Sequence, residues 1–299
     1  MRLAVATLLA LAAFTIRAQD IEPRAYSNAP VGVNFVIVGN VLTRGGPSFD
    51  PSLPITDAHL ETNSLVVAYA RVLDFGGRSG KFDAIAPYTQ LDGTANYQRQ
   101  PVDRHVRGFA RPAFRVSINL LGAPALDTTA FRTWKQDLIV GASVQVAPPW
   151  GQYDPTRIVN ISSHRWSIKP EIGVSKATGP WTLELQASGT FFTHNDDFLG
   201  DRTRSQRPVY AVQAHVIYGF ASGTWLSLDG TLFAGGRSAI DGVVNDDLQQ
   251  NARLGFVLAK PLNRRNSVKV TASSGVSART HNNFDALGVA WQYRWGAGL

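Results

Sequence analysis

Residues 285–299 read DALGVAWQYRWGAGL. Leu287, Val289, Trp291, Tyr293 and Trp295 fall on every second position, with Gly288, Ala290, Gln292 and Arg294 between them. Alternate side chains of a strand point to opposite faces, so one face here carries only large apolar or aromatic groups. A soluble sandwich packs such a face on a core, whereas a membrane barrel turns it to lipid. The rest of the chain decides between the two.

The same period-two pattern recurs, and helical spacing is scarce. In WTLELQASGTF (181–191), Trp181, Leu183, Leu185, Ala187 and Phe191 share one face; Thr182, Glu184, Gln186, Ser188 and Thr190 share the other. RWSIKPEIGVSK (165–176), DLIVGASVQV (137–146), VYAVQAHVIYGF (209–220) and SVKVTASSGV (267–276) alternate likewise. Extending the pattern predicts about twelve strands, near 31–42, 59–73, 81–97, 108–120, 137–147, 165–176, 181–193, 209–220, 224–234, 249–260, 267–279 and 284–295. The phase of 59–73 and 81–97 stays open.

The connections sort by length. DFGGRSG (74–80), ATGP (177–180), ASG (221–223) and PLNRRN (261–266) are short. The segments at 43–57, 98–107, 148–164, 194–208 and 234–249 are long and alternate with them. Outer-membrane barrels have this order, with short periplasmic turns and longer extracellular loops. The stretch 121–136 departs from it, and its Asp127, Phe131 and Trp134 suggest a small periplasmic helix. A sandwich has no reason to sort its loops by parity. Nor does it place Trp166, Trp181, Tyr218, Phe220, Trp291, Tyr293 and Trp295 at the ends of one face; aromatic girdles at two lipid interfaces do. The expected fold is therefore all-β: a transmembrane, antiparallel, up-and-down β-barrel.

Composition agrees. Arg2 followed by the apolar run Leu3–Ile16 and the small residue Ala18 reads as a signal peptide over 1–18. The run is too short for a transmembrane helix, and no later stretch is long and apolar enough to be one. Only helices and closed barrels satisfy every backbone group in hydrocarbon. Removing Arg2 and Arg17 lowers the formal charge from +7 to +5, spread along the chain. That distribution lacks the clustered basic patch of a nucleic-acid binder. With no cysteine, the chain has neither disulfides nor thiolate chemistry.

LGAPAL (121–126), GQYDPTRIVNISSHRW (151–166), KPEIGVSKATGPWTLEL (169–185) and SGVSARTHNNFDALGVAWQYRW (274–295) resemble the outer-membrane proteins linked to the MetA pathway of phenol degradation. The resemblance spans nearly the whole mature chain. It implies a transporter-like protein of the bacterial outer membrane, associated with uptake of aromatic or other small organic compounds.

If the apolar faces meet lipid, the alternate residues face the lumen. The candidate solute path then comprises Arg111, Arg115, Lys169, Glu171, Glu184, His215, Trp225, Asp229, Arg253, Lys269 and Arg294. Two readings stand: the charges brace the wall by pairing, or their field favours polar and anionic solutes. Trp225 and Phe233 would add apolar surface for an aromatic solute; a phase slip of one residue would send Leu226, Leu228 and Leu232 inward instead. No plug domain is evident after the leader. The loop HNDDFLGDRTRSQR (194–207) gathers carboxylates and arginines, and reads as solvated and self-paired rather than as a metal site. Trp150 and Tyr153 suit either a constriction or the outer interface.

No cofactor is expected, and no enzyme: G-x-S-x-G, H-E-x-x-H and the P-loop are absent. His59, His105, His164, His194 and His281 lie in or near loops. Expected partners are outer-membrane lipid and lipopolysaccharide, a small-molecule solute, and the barrel-assembly machinery, for which an aromatic near the C-terminus is a signal. The alternative function is a structural or adhesive barrel working through its loops.

Overall fold

The computed structural model describes residues 22–45, 55–97, 99–279 and 284–298. The leader expected at 1–18, part of the 43–57 loop and His281 lie outside the described residues. In chain order the strands are β1 (Asn34–Gly45), β2 (Ile55–Asp74), β3 (Ser79–Tyr97), β4 (Gln100–Phe109), β5 (Ala113–Leu121), β6 (Leu138–Ala147), β7 (Ser167–Thr178) and β8 (Trp181–Phe192). Then come β9 (Asn195–Phe198), β10 (Arg202–Gln206), β11 (Val209–Gly219), β12 (Trp225–Gly235), β13 (Ser238–Ile240) and β14 (Val243–Val244). The last are β15 (Gln249–Pro261), β16 (Asn266–Ala278) and β17 (Phe284–Trp295). One short helix, α1 (Thr128–Phe131), lies between β5 and β6.

Twelve of these strands close a barrel. β1, β2, β3, β5, β6, β7, β8, β11, β12, β15, β16 and β17 pair in that order, all antiparallel, and β17 returns to β1. The seam runs from Asn34 opposite Trp295 to Gly45 opposite Phe284. The last strand therefore completes the ring, leaving no unpaired edge to meet lipid.

Burial is inverted relative to a water-soluble protein. On β8, Leu183 and Leu185 are each 55% exposed, while Glu184 and Gln186 between them are 6% and 3%. The outward leucines face acyl chains, and the acid and amide face the lumen. Rings gather at both ends of the outer face, as tyrosine and tryptophan do at membrane interfaces. Trp181, Tyr218 and Phe220 meet edge to face at 4.8 Å beside the short turns, and Trp291, Tyr293 and Trp295 stack there as well. Tyr88 with Phe109, and Phe114 with Trp150, mark the opposite end.

On β12, Ser227, Asp229, Thr231 and Phe233 are buried while Leu228 and Leu232 are exposed, which is the phase preferred from the sequence. The phase of β2 was open for a physical reason. Its inward face carries Val66, Ala68, Ala70 and Val72, which are as apolar as the outward Leu65 and Val67. The periplasmic helix is present: Asp127 accepts from the Ala130 amide at 2.7 Å, a side-chain N-cap, and Phe131 stacks on Trp134.

The loops carry more strand than expected. Residues 98–107, read as a loop, mostly belong to β4, which pairs with the outer half of β3 from Tyr88–Phe109 to Tyr97–Gln100. This hairpin stands above the outer aromatic ring with polar groups on both sides, so it has no apolar face to betray it. The 194–208 and 234–249 loops build a second sheet, β14-β13-β10-β9. There Arg202 pairs with Asp241 of the following loop at 2.7 Å, not within its own segment. Trp150 sits on the exposed outer surface, whereas Tyr153 stacks on His164 and donates to the Asp197 carbonyl.

Candidate solute path

The lumen is not lined by the wall alone. The described chain begins at Glu22, and residues 22–33 run inside the barrel before β1, which corrects the expectation that no plug follows the leader. This segment is held mainly by polar contacts. Arg115 donates from Nη2 to Glu22 Oε1 at 2.8 Å and from Nε to Asp83 Oδ2 at 2.9 Å. The Arg24 amide donates to Glu184 at 2.7 Å, and Lys81 Nζ donates to the Ala25 carbonyl at 2.6 Å. Tyr26 donates to Glu171 at 3.0 Å, and its ring lies over Gly141 and Gly173, which are paired across β6 and β7. At the periplasmic end, Val31 donates to the Leu126 carbonyl, Gly32 to that of Val72, and Val72 back to Val33.

Several residues expected along the path meet this segment. Arg115, Glu171 and Glu184 grip it directly, and the Arg24 guanidinium lies 5.5 Å from the Trp225 ring centre. Lys169 sits 3.3 Å from Glu171, and Lys269 acts electrostatically on Glu22. A cavity of about 280 Å³ lies beside Arg24 and Trp225, bounded by Ile217 and Thr182.

The remainder sit elsewhere. Arg253 donates to the Phe284 carbonyl and to Ser273, both at 2.9 Å, with its guanidinium 3.7 Å over the Phe284 ring. Arg111 lies at the outer mouth between β4 and β5 and donates to Ser163 at 3.2 Å. Arg294 is exposed at the periplasmic rim, where it donates to the Arg264 carbonyl.

A fully buried trio spans β11 and β12. His215 Nδ1 donates to Asp229 Oδ1 at 2.7 Å, and Ser227 Oγ donates to Asp229 Oδ2 at 3.0 Å. The serine therefore faces the carboxylate rather than the imidazole. Nucleophilic catalysis needs the imidazole between the two, so this trio is not arranged for it. Asp229→Ala strands two buried donors and is expected to cost about 1–3 kcal/mol. Asp229→Asn, which keeps an acceptor, should cost less. Guanidinium unfolding midpoints in micelles compare the two, and equal midpoints would discard this account of the trio.

A polar, charge-paired lumen inside a twelve-stranded apolar belt narrows the class, and the sequence match decides it. The family described as "Putative MetA-pathway of phenol degradation" matches residues 43–293. This chain belongs to that family. No curated protein sequence matches it. An outer membrane channel from Pseudomonas putida F1 shares its fold with a TM-score of 0.75 at 18% identity, covering 92% of this chain and 100% of that one. The transport unit of the Escherichia coli autotransporter AIDA-I matches at 0.53 and 9% identity, over 88% and 90% of the two chains. A deltaS2 mutant of the TodX monoaromatic hydrocarbon channel matches at 0.50 and 9% identity, over 91% and 94%. At these identities the likeness is one of fold.

For this member of the phenol-degradation family, sequence reasoning missed Glu22, Arg24, Tyr26, Lys81 and Asp83. Lys81 and Asp83 follow once the inward phase of β3 is known. The three residues of the segment have no periodicity to reveal them.

Proposed function

We propose that this chain is a passive outer-membrane path for small organic solutes, aromatic ones included, with residues 22–33 as its stop. The observation that carries the reading is how the lumen is filled. The segment is held largely by hydrogen bonds and ion pairs with polar wall groups, and those groups can be rehydrated when it leaves. Water competes well for exchanged hydrogen bonds, whose net worth is only about 0.5–1.5 kcal/mol each. The family's link to phenol degradation and the naming of one fold neighbour as a monoaromatic hydrocarbon channel support the same reading. Catalysis has no part in it. Lipopolysaccharide around the outer rim and the barrel-assembly machinery during insertion complete the proposed partners.

The test is flux into proteoliposomes, comparing phenol and benzoate with a disaccharide for the intact protein and for a variant lacking residues 22–30. Aromatic flux that rises in the shortened variant is the expected result. Absence of flux from both forms overturns the reading. In the shortened barrel, Lys169→Gln leaves Glu171 without its cation and should shift the reversal potential toward cation selectivity; an unmoved potential would place Lys169 outside the conducting path.

A further inference from the structure

The outer mouth holds a positive charge that the protein does not neutralise. Arg165 lies two residues before β7, on the inward phase shared with Ser167, and is only 8% exposed. Its Nη2 donates to Gln206 Oε1 of β10, while Nε and Nη1 are buried with no hydrogen-bond partner among the described residues. The guanidinium lies 4.3 Å over the ring of Phe192, at the outer end of β8. The charges that act on it are those of Arg204 and Arg111, both repulsive. Burial, together with these two neighbours, lowers the guanidinium from its ordinary value to about 9. By contrast, Arg115 has two carboxylates, and Arg253, whose Nε is also unpartnered, still has a carbonyl, a hydroxyl and a ring.

A buried cation with open donors and cationic neighbours is costly unless an anion completes it. The free Nε and Nη1 lie on different edges of the guanidinium, so each can donate one charge-assisted bond to an anion's oxygen. The ring beneath adds an apolar, π-faced wall next to those donors. Because Arg165 is buried on the inward phase while Trp166 is exposed on the outward one, the guanidinium lies on the lumen side of the wall and not beside the lipid headgroups.

We infer that Arg165, with Phe192, Gln206 and Arg111 around it, is a capture site for small organic carboxylates, aromatic carboxylates above all, at the extracellular entrance. The site gives the proposed solute path its substrate class and in that sense rests on it, although binding is measurable without passage.

The experiment is calorimetric titration of the refolded full chain in micelles with benzoate, benzyl alcohol and inorganic phosphate, alongside Arg165→Gln and Arg111→Gln. Benzoate should bind saturably and raise the thermal midpoint, and benzyl alcohol should not. Arg165→Gln should weaken benzoate at least about tenfold, the scale of lost charged hydrogen bonds, and should hold or raise the midpoint in anion-free buffer because it removes an uncompensated charge. Arg111→Gln, a milder change, should weaken benzoate without loss of fold. Equal binding of benzyl alcohol, or phosphate binding as tightly as benzoate, overturns the carboxylate assignment. Absent binding with aromatic flux intact overturns the capture site and leaves the path standing; binding without flux does the reverse.

Discussion

Replacing Arg115 by alanine is expected to destabilise the refolded barrel by about 3–5 kcal/mol, the scale for removing one partner of a buried ion pair. The side chain is 12% exposed and serves Asp83, 11% exposed, and Glu22, 41% exposed. Most of the loss therefore comes from Asp83, left charged in the wall, and less from the better hydrated Glu22. Glu22→Gln should be much milder, since surface-like pairs contribute only about 0–1 kcal/mol. Replacing both Arg115 and Asp83 by apolar residues of similar volume should recover most of the loss, because no lone charge remains. Guanidinium denaturation followed by gel mobility of the folded barrel separates these variants. If Arg115→Ala and Glu22→Gln shift the midpoint equally, the wall pair is not what Arg115 stabilises.

The second large effect is expected from two glycines. A Cβ at Gly141 would stand 2.1 Å from Tyr26 Cδ1, and one at Gly173 would stand 2.3 Å from Cε2. Neither approach is tolerable, so the double variant Gly141→Ala, Gly173→Ala must expel the ring. Overpacking of this kind costs about 1–3 kcal/mol, and here the segment can yield while the barrel stays closed. Single-channel conductance should then rise severalfold, and trypsin should cut at Arg24 in folded protein that resists it otherwise. A conductance equal to that of the unaltered protein would show that something other than residues 22–33 limits flow.

Much of this fold was legible because period two and burial coincide along each strand. Leu183, Glu184 and Leu185 announce their faces by chemistry alone, and the aromatic ends of β8, β11 and β17 name the interfaces. Where both faces are alike, as in β2 and β4, the sequence carries no phase. The solute path was legible as a set of inward charges, but their partners were not. Glu22 meets Arg115, and Arg24 meets Glu184, across sequence distances that only closure of the ring brings together. Arg165 escaped because a sequence shows an arginine without showing what fails to surround it.

The seat of Tyr26 has a consequence for the order of assembly. Gly141 and Gly173 belong to different strands, and Glu184, Lys81 and Trp225 to three more. Gly141 and Gly173 become neighbours once β6 pairs with β7, but Lys81 and Trp225 come round to the same segment only when the sheet has curled. The segment 22–33, although it precedes every strand, thus has its full set of partners only once the wall has curled around it. Its docking reports that the ring is complete, so protection of Arg24 from protease serves as a clock for the final step of folding.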